Sequence, residues 1–452
     1  MNFIGLDIGS SSIKGAVLDL DRLTVGKTTR VPSPKPISSL PPRRFELDPI
    51  AVVDAVRIVL AQLLAEVENC AGIVSCSQMA GVVLSDSAAN PLTNYLSWRD
   101  QRVLEPHPSD EGSYYSVLQQ RLGATPIEQL GHECKLGSSP SLLFWLAEQN
   151  RVPQNAIPLI LGDFVWMRLC GAEPVTEHTN ALGAMNLETR QWHQEALEKL
   201  GVAELQWPRL CDSFQPIGEF TVPGGTIPCY PSVGDHQCAL AGTLLKANEL
   251  SINVSTGSQI SRLAPEYQPG DHQVRPYFDG QYLNTLTHLP AGRSLNVLVD
   301  LLSELAKSQG RQLDDPWPYI TQAAATAHTD LAADLAFFDG PLGDRGSISN
   351  ITIDNLTVGS LFRAAFQNMA NNYEVGSRRI APDRSWQSLV LSGGLVQHGA
   401  VLREMIVEVF DCPGRVCSST EETLTGLLVL ALVAGGRAGN VAEASSLLDN
   451  NQ

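Results

Sequence analysis

The run Phe3-Ile4-Gly5-Leu6-Asp7-Ile8-Gly9-Ser10-Ser11-Ser12-Ile13-Lys14-Gly15-Ala16-Val17-Leu18 reads as two strands joined by a short Gly/Ser turn, with a carboxylate where the first strand meets the turn. A turn of this composition points consecutive backbone N–H groups inward, and such a nest holds phosphate oxygens without basic side chains. A second turn of the same kind, Ser255-Thr256-Gly257-Ser258, follows the strand-like Leu250-Ser251-Ile252-Asn253-Val254 in the other half of the chain. Two nests in separate halves imply one polyphosphate gripped from both sides. Asp7, a hard oxygen ligand beside the first nest, suits Mg2+ bridging phosphates. The expectation is a nucleotide held in a cleft.

Working outward, alternating strand and helix signals replace any repeat. Residues 51–67 place Val53, Val56, Leu60, Leu63, Leu64 and Val67 at helical spacing, and Gly72–Cys76 and Gly81–Leu84 read as strands around Ser77-Gln78-Met79. The prolines between Arg30 and Pro49 restrict that stretch to loop or sheet edge. The span 140–170 reads as two helices broken near Pro153 and Pro158, and 181–188 as a strand. In the second half, Leu356–Val375 is an amphipathic helix and Leu389-Val390-Leu391 a strand. Gly393-Gly394 then turns into a helix over 399–409, and an apolar helix runs from about Glu421 to Ala434. The division falls near 243–249, giving halves of residues 1–245 and 246–452, each a sheet covered by helices: an α/β chain.

Composition limits the function classes. Of 452 residues, 43% are hydrophobic, enough for two cores, and the net charge of −17 argues against nucleic-acid or anionic-membrane partners, which require basic surface. Nine cysteines without a C-x-x-C pair read as reduced packing thiols. No apolar run approaches the length of a membrane helix and the first residues show no leader pattern, so the expectation is a cytoplasmic protein, monomer or homodimer.

One carboxylate stands out at the junction, in Gly234-Asp235-His236-Gln237. Just before a helix at a domain boundary, Asp235 can take a proton from a hydroxyl that attacks phosphorus, or it can serve only as the helix N-cap. Two other features read as structural. Ser419-Thr420-Glu421-Glu422 fits a capping box with Ser419 as N-cap, and Lys14, on an alternating strand, fits a solvated side chain.

Taken in order, Gly5–Ser12, Ser77-Gln78-Met79, Ser97-Trp98-Arg99-Asp100-Gln101-Arg102, Gly234–Gln237, Asn253–Ser258 and Ser392-Gly393-Gly394 resemble the FGGY carbohydrate kinases from about residue 3 to 436. Within that family the chain is most similar to the sedoheptulokinase subgroup, on Trp98-x-Asp100-x-Arg102, on Gly234-Asp235 with Gln237, and on Pro276-Tyr277-Phe278. The resemblance implies a two-domain actin-like ATPase (ribonuclease H-like) fold with the site in the interdomain cleft, the N-terminal half binding sugar and the C-terminal half nucleotide. It implies ATP and Mg2+ as cofactors, with Asp7 and Asp235 at the metal and Asp235 as general base. The backbone at Gly9, Ser10, Ser11, Ser12, Thr256, Gly257 and Ser258 would bind phosphates, and Gly393, Gly394 and Gln397 would sit at the adenosine. Gln78, Met79, Trp98, Arg99, Asp100 and Asp235 would line the sugar site.

The implied reaction is phosphorylation of a terminal ketose hydroxyl, on sedoheptulose first and ribulose or xylulose next. Departures from the family pattern fall on the sugar side: Ala80 where His is frequent, Thr176-Glu177-His178-Thr179-Asn180 where Thr-Asp-Tyr-Ser-Asp is usual, and a bulky Gln259 after the second loop. Two other readings of the same loops are an actin-like assembly ATPase and a non-catalytic sugar sensor. The polar groups at Trp98-Arg99-Asp100 and Gly234–Gln237 speak against the first, and the presence of both Asp7 and Asp235 against the second.

Overall fold

The computed structural model describes residues 1–109, 112–311 and 314–451. Its first sheet is built on β1 (Asn2–Ile8) and β2 (Ser12–Asp19), an antiparallel hairpin in full register from Asn2↔Asp19 to Ile8↔Ile13. Two short strands, β3 (Thr24–Val25) and β4 (Thr29–Pro32), both pair with β2, so the proline-rich stretch does begin at an edge. β5 (Cys70–Ser77), β6 (Gly218–Val222) and β7 (Gly225–Gly234) complete the order β6-β7-β5-β1-β2-β3. β1, β5 and β7 run parallel, which leaves the middle of the sheet buried on both faces; Phe3, Ile4, Leu6 and Ile8 accordingly form an unbroken apolar edge to Asp7.

Helices α1 (Pro49–Leu64) and α2 (Leu161–Cys170) cover one face, setting Val52, Val56, Leu60, Phe164 and Trp166 against Ile4, Leu6 and Ile73. The Asp48 side chain caps α1 by accepting from Ile50 N at 2.9 Å, with Pro49 at the first helical position. Between α1 and α2, Pro158 lies in a three-residue strand, Ile157–Leu159, and helix resumes only at Leu161. Residues 181–188 do not form the strand expected of them. A 3₁₀ turn over His178–Asn180 is followed by only two strand residues, Met185–Asn186, which pair with Gln191–Trp192 in a short hairpin.

At Gly234 the chain enters α3 (Asp235–Gly242) and then the second sheet. Its strands are β8 (Glu249–Val254), β9 (Ser258–Ala264), β10 (Gln273–Pro276), β11 (Tyr282–Leu289), β12 (Ser388–Ser392) and β13 (Gly414–Val416), in the order β10-β11-β9-β8-β12-β13. α4 (Gly292–Ser308), the 23-residue α5 (Val358–Ile380) and α6 (Ala400–Phe410) cover it; Phe362, Phe366, Met369 and Tyr373 form the inward stripe of α5.

Two final helices, α7 (Glu422–Ala434) and α8 (Val441–Asp449), do not stay with the second sheet. Leu424, Leu427, Leu428 and Leu448 share one core with Phe3, Leu18, Val74, Val233 and Leu240 of the first half and with Leu263, Leu283 and Val390 of the second. A cut at 245/246 therefore separates α7 from the sheet it covers. α3 and α7 cross at backbone contact: a Cβ added at Gly242 would overlap the Glu422 carbonyl oxygen, and one at Gly426 the Cys238 carbonyl oxygen. All nine cysteines are free thiols, and among the described residues no helix is long and apolar enough to cross a membrane.

Candidate active site

Parallel pairing brings three strand ends to one edge. Ile8 of β1 pairs in register with Ser77 of β5, and Ser77 with Gly234 of β7, so the Gly9–Ser11 turn, Gln78-Met79 and Asp235 leave the sheet side by side. Carboxyl ends of strands are where open α/β sheets bind ligands. The second sheet repeats this: Asn253 of β8 pairs with Ser392 of β12, placing Ser255–Gly257 beside Gly393-Gly394.

The first turn is braced from outside, with Ser33 Oγ donating to Gly9 O at 2.6 Å, while Ser10 and Ser11 are exposed. In the second turn Ser255, Thr256 and Gly257 are exposed, and Ser258 is buried with its hydroxyl 2.7 Å from Tyr373 Oη, so only its backbone faces the turn. Gly292 N and Arg293 N donate to Ser255 O and Thr256 O at 3.1 and 2.8 Å, tying the start of α4 to this turn. Gly393 has φ +88° and no room for a Cβ, which would lie 2.5 Å from Val254 O; Gly394 has open space in front of it. Gln397 is partly exposed and donates to Ser419 O at 3.3 Å.

Asp235 is the first residue of α3, after Gly234 in the cap position, so its carboxylate does not serve as an N-cap. Burial, and next the charge of Asp7, raise its pKa from 3.8 to about 7, against opposing contributions from backbone N–H groups and Arg275. Such a carboxyl is half ionised near neutrality, the condition for a general base. Asp7 is buried; its Oδ2 accepts from Thr423 Oγ1 at 2.7 Å and lies 3.4 Å from Lys14 Nζ, and its Oδ1 faces Gly9, where an added Cβ would sit 3.5 Å away.

Around Asp235 the structure collects amide groups. A Cβ at Gly234 would meet Gln237 Oε1 at 2.7 Å and Met79 Cε at 2.8 Å. Gln237 donates to Pro276 O at 3.0 Å, Asn180 donates to Ser232 O at 2.8 Å, and Thr179 Oγ1 accepts from Gly234 N at 2.8 Å. Among the described residues the amide oxygens of Gln78, Asn180 and Gln237 are buried with no hydrogen-bond partner. Buried acceptors in that condition suit hydroxyl donors. Gln237 and Asn180 belonged to motifs visible in the sequence, yet nothing in their spacing marked them as site residues.

Sequence reasoning fares differently at Trp98–Asp100. Trp98 is 41% exposed and Arg99 stacks on Phe45, its guanidinium carbon 4.3 Å from the ring centroid. Asp100 is a correction. It is fully buried: Oδ1 accepts from Arg102 N and Nε at 2.9 and 2.8 Å, and Oδ2 from Phe45 N and Arg102 Nη2, both at 2.7 Å. Both oxygens are consumed, so Asp100 holds the loop behind Trp98 rather than a sugar hydroxyl.

Lys14 and the 419–422 segment are corrected together. Lys14 is not solvated; its ammonium group bonds Glu421 at 2.6 Å beside Asp7, and burial notwithstanding, those two carboxylates hold its pKa above the usual value. Ser419 is not an N-cap, since α7 begins at Glu422 with Glu421 in the cap position and no side-chain cap bond. Glu422 Oε1 instead accepts from Gly393 N at 3.3 Å. A third cluster went unread: Arg275 Nε bonds Glu133 at 2.5 Å and its Nη1 lies 2.8 Å from His236 Nδ1, where burial and the guanidinium keep the imidazole neutral. Residues so far apart in the chain leave no local signal.

The model for the FGGY family of carbohydrate kinases, N-terminal domain, matches residues 2–242, more than half of the chain. The chain belongs to the FGGY carbohydrate kinases. This FGGY chain is 21% identical to sedoheptulokinase from Mus musculus over 91% of its own length and 93% of the relative's. It is 25% identical to glycerol kinase 2 from Saccharolobus solfataricus over 57% of its length, spanning about half (52%) of that relative. Among solved structures, gluconate kinase from Lactobacillus acidophilus superposes with a TM-score of 0.84 at 19% identity, over 98% of this chain and 91% of that one. The fold is thus the two-domain actin-like fold of the FGGY sugar kinases.

Proposed function

We propose that this chain transfers the γ-phosphoryl group of ATP to a terminal hydroxyl of a sugar. The carrying observation is Asp235, a carboxyl with a pKa of about 7 at the edge where the Gly9–Ser11 turn and Gln78-Met79 also emerge. The acceptor oxygen attacks the γ-phosphorus in line, its proton passes to the Asp235 carboxylate, and the bond to the β-phosphate oxygen breaks to release ADP. The backbone of Gly9–Ser12 and of Thr256–Ser258 grips the phosphates, while Gly393, Gly394 and Gln397 lie at the adenosine. Asp7, with Oδ1 toward the first turn, and Asp235 beside it suit a Mg2+ that keeps phosphate and water ligands, which would neutralise charge on the transferred group. The acceptor's hydroxyls meet the amide oxygens of Gln78, Asn180 and Gln237, with Met79, Trp98 and Arg99 closing the site.

Sedoheptulose is the first acceptor in this reading, supported by the full-length likeness to the mouse enzyme, with ribulose and xylulose next. A second reading, an acidic sugar such as gluconate, is favoured by Lys135. This half-buried lysine makes no salt bridge among the described residues; burial lowers its pKa, against the nearby charge of Glu133, and Arg275 lowers it further. A lysine with no carboxylate in direct contact suits a carboxylate on the acceptor. The test is ATP consumption over a panel of ketoses, polyols and aldonates. Turnover with no member of the panel would sink the kinase reading, and the preferred member decides between neutral and acidic acceptors.

A further inference from the structure

Three consecutive residues at the entry of α7 each reach a different part of the site. Glu421 receives Lys14 Nζ at 2.6 Å and Arg30 Nη2 at 2.5 Å; Glu422 receives Gly393 N at 3.3 Å; and Thr423 Oγ1 donates to Asp7 Oδ2 at 2.7 Å. A threonine in a first helical turn ordinarily bonds nearby backbone. This one spends its hydroxyl on a carboxylate 416 positions away. Its place is fixed by the α3–α7 crossing, where Gly242 and Gly426 bring the backbones into contact and Cys238 Sγ lies 3.2 Å from Thr423 O. The same crossing anchors α3, which begins with Asp235.

We propose that Thr423 is a positioning residue for Asp7. A carboxylate free to turn about its last torsion offers either oxygen to either side. With Oδ2 held by Thr423 and flanked by Lys14 at 3.4 Å, Asp7 keeps Oδ1 toward Gly9 and the first phosphate turn. Thr423 thereby sets the orientation in which Asp7 meets the Mg2+ carried by the nucleotide, and Glu421 holds Lys14 alongside. The inference rests on the kinase reading but assigns work to a residue of the last third of the chain that no motif marked.

Calorimetry of ADP binding to the full-length chain, with Mg2+ and with EDTA, tests it in parent, Thr423→Val and Thr423→Ser. Outer ligands of a metal site are worth about 10- to 100-fold in metal affinity, so Thr423→Val should lose about 10-fold of the Mg2+-dependent tightening while ADP binding in EDTA stays unchanged. Thr423→Ser, which keeps the hydroxyl, should return to within about twofold of the parent, and the KM for sugar should not move in either variant. Parent-like Mg2+ dependence in Thr423→Val would overturn the proposal. So would an equal loss in both variants that persists in EDTA, which is the mark of a packing role. A parent that binds ADP no tighter with Mg2+ would instead bring down the metal-dependent kinase reading itself, and this inference with it.

Discussion

Replacing Asp235 by Asn removes the charge but keeps the shape, and the structure sets the size of three effects. Catalysis comes first: a positioned general base contributes about 10²–10⁴-fold, so kcat should fall by that order while ADP affinity in EDTA holds. The pH profile comes second. With a pKa of about 7, the base is half ionised at pH 7, and kcat/KM of the parent should drop about tenfold for each further unit below about pH 6.5. Stability comes third and runs the other way. The folded protein holds this proton more tightly than the unfolded chain, whose value is 3.8, so the contribution to stability is full below pH 3.8 and is lost as pH rises through about 7. At about 1.4 kcal/mol per unit, the rise from 3.8 to about 7 bounds the loss at about 4 kcal/mol, a ceiling because Asp235 is partly exposed. Asp235→Asn should therefore be the more stable protein in urea titrations at pH 8, with its advantage shrinking toward pH 4. A flat kcat/KM profile between pH 5.5 and 8, or near-parental turnover in the Asn variant, would refute the reasoning.

Asp100→Ala leaves the buried Arg102 guanidinium with Glu46 at 2.6 Å as its remaining carboxylate and Phe45 N without its acceptor, and should cost about 1–3 kcal/mol in chemical denaturation, a loss of fold stability rather than a simple rise in sugar KM. Gly426→Ala drives a methyl group into the Cys238 carbonyl and should destabilise by about 3 kcal/mol, read as a lowered Tm. Asp7→Asn removes the carboxylate charge facing the first turn and should raise the Mg2+ concentration needed for half-maximal turnover, with sugar binding by calorimetry unchanged.

The strand–turn–strand of residues 3–18 carried its own signature because everything it needs is local: apolar alternation, a Gly/Ser turn and a carboxylate at the strand end. The strand-to-helix junction at Gly234-Asp235 was legible for the same reason. What stayed hidden is which partner each polar side chain takes. Lys14 sits on a strand that alternates as a solvated one would, yet it pairs with Asp7 across the hairpin and with Glu421 from the far end of the chain. Asp100 has the residue type expected of a sugar ligand, and its neighbour two positions on, Arg102, consumes it. The 419–422 segment matched a capping pattern in type and spacing, yet its acids bond Lys14, Arg30 and Gly393, none of which lies within its own turn.

The return of α7 to the first sheet has a consequence for how the chain is made. Phe3, Leu18, Val74 and Val233 leave the ribosome long before Leu424, Leu427 and Leu428, the residues that cover them. Between residues 245 and 424 synthesis takes roughly ten to forty seconds at about 5–20 residues per second, and for that interval one apolar face of a finished sheet has nothing to bury it. The nascent first half should therefore depend on chaperone cover, and a message truncated before residue 422 should yield an aggregation-prone polypeptide. Co-expressing residues 1–245 with 246–452 should rescue solubility, since the second fragment brings the missing helix with it.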